Sequence, residues 1–228
     1  MNYFAHALPW LDRPYFVAGT ALPDLLSVLD RRVRLRGKLV APFANGSADP
    51  AAEVAAGVLQ HLHDDDWFHR TPGFLQVTTE LTQRFRGALP AEEGYAPSFL
   101  GHIVTEMLLD SVLIEQHPGR LEIYYALFRN LDCRLVQRTV NAMARNPTDR
   151  LTEFLPHFER ERFLYDYQDA GLLLVRLNQV LQRVKLNTLP PQTISVLEQG
   201  RQLISEHVNA LLPSDYWPRP ASRPGVAE

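Results

Sequence analysis

Two ladders of metal-competent side chains constrain this chain more than any other feature. From Gly57 to Pro72 it reads Gly-Val-Leu-Gln-His-Leu-His-Asp-Asp-Asp-Trp-Phe-His-Arg-Thr-Pro. On a helix turning about 100° per residue, His61, Asp65 and His69 drift by only about 40° per step and share one face over two turns. His102, Glu106 and Asp110 repeat the i, i+4, i+8 spacing inside the otherwise apolar segment from Phe99 to Ile114. A carboxylate on an apolar helix face is too costly to bury alone and requires a partner or a cation. The competing reading, a solvated acidic patch at Asp64-Asp65-Asp66 beside structural histidines, accounts for the first ladder but not for the second.

The remaining pattern predicts an all-α fold, a single multi-helix domain over residues 1–212 followed by a Pro-rich tail, 213–228. Gly19 and Pro23 punctuate a turn, with Asp24 set to cap a helix that starts near Leu25. Asp49-Pro50 forms an N-cap and N1 pair opening the first ladder helix, which Thr71-Pro72 ends. A helix over 74–86 follows, and Ser98 caps the second ladder helix, which stops before Pro118-Gly119. Further helices are predicted over 120–131, 132–145, 149–157, 159–185 and 190–211. Val, Ile and Thr never alternate over a long run, so no strand is expected. The four prolines of 213–228, with little apolar periodicity, predict a surface-lying or disordered tail.

Composition excludes several function classes. With 23 basic and 26 acidic residues, net charge −3, the chain has no general electrostatic case for nucleic acid, so none is expected as a partner. Basic residues concentrate locally at Arg31, Arg32, Arg34, Arg36 and Lys38, where Arg31, Arg32 and Arg34 are candidates for contact with a phosphate or an acidic partner. One cysteine, Cys133, excludes an intramolecular disulfide and a thiolate zinc site. No signal-peptide pattern and no uncharged apolar run of membrane-spanning length stand out, so a cytoplasmic protein without a membrane span is expected. Oligomeric state has no sequence signature here.

Imidazole and carboxylate donors without cysteine suit Mn, Fe or Zn, with Mg also compatible. A divalent cation so held lowers the pKa of bound water and clamps a phosphoryl oxygen, which fits hydrolysis of a phosphodiester. No Ser, His and Asp trio, P-loop or dinucleotide turn competes. A literal His63-Asp64 dipeptide offers a second assignment, but His63, at i+2 from His61, faces away from the ladder.

Met1-Asn2-Tyr3-Phe4-Ala5-His6, followed by Gly19 and Asp24 and then Gly57, His61, Asp65 and a metal-competent residue at 69, resembles the acyl carrier protein phosphodiesterase family. That family opens Met-Asn-Phe-Leu-Ala-His, continues Gly-Asn-Leu-Leu-x-Asp, and carries a Gly-Ile-x-x-His-Arg-x-x-Asp helix. The resemblance implies an HD-phosphohydrolase-like helical fold and a metal-dependent activity releasing phosphopantetheine from a carrier-protein serine, with holo acyl carrier protein as partner. By this resemblance His6, Asp24, His61 and Asp65 bind the first metal. His69, His102 and Glu106 are expected to complete the site, bind a second ion or act as general base, and Asp110 to orient a ligand histidine. The chain departs from the family at Leu62, where an Arg stands, and around Gly101-His102-Ile103-Val104, where the family has Asp-His-Phe-Leu. The early His, the Gly-x-x-x-Pro-Asp turn and the spaced His and acid pairs are also similar to zinc-dependent phospholipase C and related nucleases. The alternatives from other classes are a metal-stabilised helical binding protein without catalysis and a helical interaction module without metal, its buried polar groups paired with Arg176, Arg183 or backbone.

Overall fold

The computed structural model describes residues 1–91 and 94–218. Among them the chain is all α: α1 Tyr3–Ala7, α2 Pro14–Leu29, α3 Gly37–Val40, α4 Pro50–Phe68, α5 Pro72–Ala88, α6 Pro97–Gln116, α7 Arg120–Arg129, α8 Cys133–Met143, α9 Leu151–Glu161, α10 Ala170–Arg183 and α11 Ile194–Leu211. Short 3₁₀ turns join several of them, and one isolated antiparallel bridge, Leu35 to Ala144, is the extended pairing among the described residues.

The contacts divide into two compact units. The first comprises Met1–Ala5, Asp66–Pro118 and Glu161–Leu212. Its centre is α6, whose residues Val104, Met107, Leu108, Leu109, Val112 and Leu113 are almost wholly buried between α5 and α11. α6 is long and apolar enough to cross a membrane by length and composition alone, yet 67% of that stretch is buried inside the fold. The second unit comprises His6–Asp65, Gly119–Arg160 and residues 213–218. In it α2 packs against α7, and Tyr124, Tyr125, Phe128 and Phe158 form an edge-to-face aromatic cluster.

Local signals explain where the helices begin. Asp49 Oδ2 accepts the amides of Ala51 and Ala52 at the start of α4. Thr71 both follows the end of α4 and caps α5, its hydroxyl accepting the Phe74 amide at 3.1 Å.

Four expectations are corrected. α2 runs unbroken from Pro14 to Leu29 with Pro23 inside it, so Asp24 lies in the helix interior and does not cap a new one. α6 starts at Pro97 after Ala96, without a side-chain cap, so Ser98 is already inside the helix. The single helix expected over 159–185 is interrupted. Arg162 adopts a left-handed conformation (φ 47°), a 3₁₀ segment spans Phe163–Gln168, and Asp169 opens α10 by accepting the Leu172 amide. At the start of the tail, the Tyr216 and Trp217 amides bond back to Pro213, and Trp217 is buried. Residues 219–228 of the expected tail lie outside the described residues.

Candidate metal centre

The second unit brings His6, His61 and Asp65 together, with one ligand atom from each within 4.8 Å of the others. Two glycines make this possible. A Cβ on Gly57 would collide with the Phe16 carbonyl and come within 2.9 Å of Gly19 Cα, and a Cβ on Gly19 would collide with the Val54 carbonyl. α2 and α4 therefore cross backbone to backbone where only glycine fits. The crossing brings the residue after Gly19 to the residue one turn beyond Gly57: Nδ1 of His61 donates to the Thr20 carbonyl at 2.8 Å. Pro23, lacking an amide hydrogen, loosens the same turn of α2 by leaving the Gly19 carbonyl without its helical donor.

That hydrogen bond fixes the tautomer. With the proton on Nδ1, Nε2 of His61 carries a lone pair, and it lies 3.4 Å from Asp65 Oδ2. His6 is oriented in the same sense by a different acceptor. Its Nδ1 lies 3.1 Å from Asp64 Oδ2, a carboxylate that can only accept, so Nδ1 donates. Its Nε2 is fully buried without a hydrogen bond among the described residues and stands 3.4 Å from Asp65 Oδ1. The two rings stack at 4.1 Å with 28° between their planes. Two imidazoles thus spend Nδ1 on fixed acceptors and aim Nε2 at one carboxylate, the arrangement by which outer-sphere groups orient metal-binding histidines.

The electrostatics report a site built for positive charge. Burial works against a charged His6, but the Asp64 and Asp65 carboxylates override it and raise its pKa from 6.5 to about 9. Burial likewise opposes charge on Asp65, and the His6 and His61 imidazoles facing it outweigh burial, holding the carboxyl well below the usual carboxylate range.

The first unit holds a second group, His69, His102 and Glu106, again with ligand atoms within 4.8 Å of one another. Glu106 Oε1 lies 2.9 Å from His69 Nε2, 3.3 Å from His102 Nε2 and 3.3 Å from the Met1 α-amino group. Phe74 packs edge-on against both imidazoles, at 4.9 and 5.1 Å. Burial pushes the Glu106 carboxyl up, and the α-amino group, His102 and His69 together draw it well below the usual range. This group is more open: 33% of the His69 side chain and 44% of the His102 side chain are exposed, against 12% for Glu106.

The first ladder therefore divides, His61 and Asp65 going with His6, and His69 with His102 and Glu106. Asp24 is half-buried in α2, one turn beyond Thr20, and is not among the residues that converge on Asp65. Asp110 lies on α6. It is fully buried and accepts the Phe4 amide at 3.0 Å and the Ala5 amide at 2.8 Å, anchoring the first turn of α1. Arg32 is held by Asp30, whereas Arg31 and Arg34 are exposed. His63 is exposed, as its position at i+2 requires.

Asp64 is the residue beside His6 that the ladder spacing missed. It stands about 60° from His61 on one side of the helix where Asp65 stands about 40° on the other, so both can face the site. It is 2% exposed and also accepts from Gln60 Nε2 at 2.8 Å. The signal was the pairing of Gln60 with Asp64 at i, i+4, which marks Asp64 as engaged and not as part of a solvated acidic run. No protein-family model, curated protein or solved structure matches this chain.

Proposed function

We propose that this protein is a metal-dependent phosphodiester hydrolase, working in the manner of the acyl carrier protein phosphodiesterases to release phosphopantetheine from a carrier-protein serine. One observation supports this above the rest: His6 and His61 both commit Nδ1 to fixed acceptors and direct Nε2 at Asp65. A buried Nε2 without a hydrogen bond, opposite a carboxylate held ionised, fits a bound divalent cation. Two imidazoles and one carboxylate, without thiolate, suit Mn, Fe or Zn.

Three protein donors favour an enzyme over a closed structural site. Structural centres are saturated by four protein ligands, whereas catalytic ones keep a position for water or substrate. Asp65, with 34% of its side chain exposed, gives the group its access to solvent. A divalent cation bound there supplies a water of lowered pKa and an electrophile for a phosphoryl oxygen.

The chain's own residues do the rest. Asp64 and the Thr20 carbonyl keep both histidines in the Nε2-binding tautomer. Glu106, held well below its usual pKa, stays anionic and orients His69 and His102. Within that group His102, with 44% of its side chain exposed, is the residue open to exchange a proton.

The test is turnover of holo acyl carrier protein, followed as release of phosphopantetheine, by the wild type and by His61→Ala. The proposal expects metal-dependent release by the wild type and loss of it in a variant that remains folded by circular dichroism. Equal turnover by the two proteins removes the catalytic assignment.

A further inference from the structure

The second unit carries a concentrated positive surface. Arg31, Arg32, Arg34, Arg36 and Lys38 are all exposed, while Val33 and Leu35 between them are buried. That alternation belongs to an extended segment, pinned where Leu35 bridges Ala144 in antiparallel sense. The register sets Arg34 opposite Arg145, which is also exposed. Other bonds fix the segment. Asn146 Nδ2 donates to the Arg32 carbonyl at 2.8 Å, the Arg150 guanidinium bonds to the Leu29 carbonyl, and Arg32 grips Asp30 through two nitrogens.

Two properties separate this surface from an ordinary solvated face. Its charge is unbalanced: with Arg145 and Arg150 it gathers seven cations against the carboxylates Asp30 and Asp149. The side chains of Arg34, Arg36, Lys38 and Arg145 form no ion pair with any described residue. It also lies against the helix that carries the candidate centre, α4. α3 begins at Gly37 directly after Arg36, and a Cβ on Gly37 would lie 4.0 Å from Cδ1 of Leu62, the neighbour of His61.

We propose that this basic surface docks an acidic protein face and so presents a protein-borne phosphodiester to the His6, His61 and Asp65 group. The identity of the docked protein as the substrate rests on the phosphodiesterase reading above. A protein partner fits better than a nucleic acid. The surface holds a surplus of five positive charges in a chain of net charge −3, so the remainder of the molecule is negative by eight. A polynucleotide, with a charge every few ångströms along its length, carries most of its charge beyond the reach of so confined a patch. A partner whose negative charge is confined to one face meets the cations alone. The anchored backbone lowers the ordering cost of docking.

The experiment measures fluorescence anisotropy of labelled holo acyl carrier protein with the full chain, at about 0.1 M and about 1 M salt, where the screening length falls from roughly 10 Å to 3 Å. A variant combining Arg34→Glu, Arg36→Glu and Arg145→Glu is compared after circular dichroism shows it folded. The proposal expects saturable wild-type binding at low salt, weakened at least about tenfold in the variant, and a gap that closes at high salt. Absence of saturable binding, or equal affinity in the two proteins, overturns it. So does displacement of the carrier protein by single-stranded DNA at equal concentration. Metal content and turnover of a small aryl phosphodiester by the wild type are measured separately. Their failure counts against the phosphodiesterase reading, while docking stands or falls on the anisotropy alone.

Discussion

At the scale of single residues, the candidate centre depends on how His6 is held. Its imidazole donates Nδ1 to Asp64 and offers Nε2 to the Asp65 side, so Asp64 acts through His6 and not on substrate. Replacing Asp64 by Ala should lower divalent-metal affinity by about 10- to 100-fold, read by calorimetric titration. Asp64→Asn should recover part of the loss, because an amide oxygen still accepts from Nδ1. Equal affinity in all three proteins would show that the contact does not orient a ligand. The raised pKa of His6 carries its own signature. A group whose folded pKa of about 9 exceeds its ordinary 6.5 stabilises the metal-free fold fully below pH 6.5 and loses that contribution as pH rises through about 9. The melting temperature of chelator-treated protein should therefore fall between these limits more steeply in the wild type than in His6→Gln. The same proton must leave when metal binds, so uptake at neutral pH should release protons, visible in titrations run in buffers of different ionisation enthalpy. His61 and Asp65 were legible in the sequence because their spacing is a rigid consequence of helix geometry. Asp64 was not, because its role depends on a ring brought from 58 residues away.

Among the helices, the decisive feature is the crossing of α2 and α4 at Gly19 and Gly57. Gly57 stands one turn before His61, and its lack of a side chain is what brings the Thr20 carbonyl within 2.8 Å of His61 Nδ1. Gly57→Ala puts a methyl group into the Phe16 carbonyl, and the helices must separate. The expected cost is about 1–3 kcal/mol of stability, measured by denaturant unfolding, together with weakened metal binding. A variant of wild-type stability and affinity would show that the close crossing does not set the site. Helix boundaries were legible where a cap or proline acts locally, as at Asp49 and Thr71. They were misread where the chain overrides its local signals. Pro23 sits inside α2 although proline commonly ends helices, and Arg162 breaks an apparently continuous helix by turning left-handed. Asp110 shows the same limit: its spacing matched a ladder, and the two α1 amides it accepts could not be read from spacing.

For the whole molecule, the all-α architecture followed from the absence of alternating patterns and from the periodicity of its apolar residues. The division of contacts into two units did not, because each unit is assembled from three separate stretches of chain. Among the described residues, each unit contains one group of two histidines and a carboxylate. A ligand that binds only the folded chain stabilises it by mass action, about 2.7 kcal/mol at a hundredfold excess over its dissociation constant. For a chain of 228 residues this corresponds to a rise of roughly 5–10 °C in melting temperature on adding the preferred cation, reversed by a chelator. The most direct test of the central claim is elemental analysis of protein purified without chelator or immobilised nickel, beside a variant combining His61→Ala and Asp65→Ala. About one or two equivalents of Mn, Fe or Zn are expected in the parent, with at least one equivalent lost in the variant. The same metal content in both proteins, or none in either with no thermal shift on adding these ions, would contradict that claim.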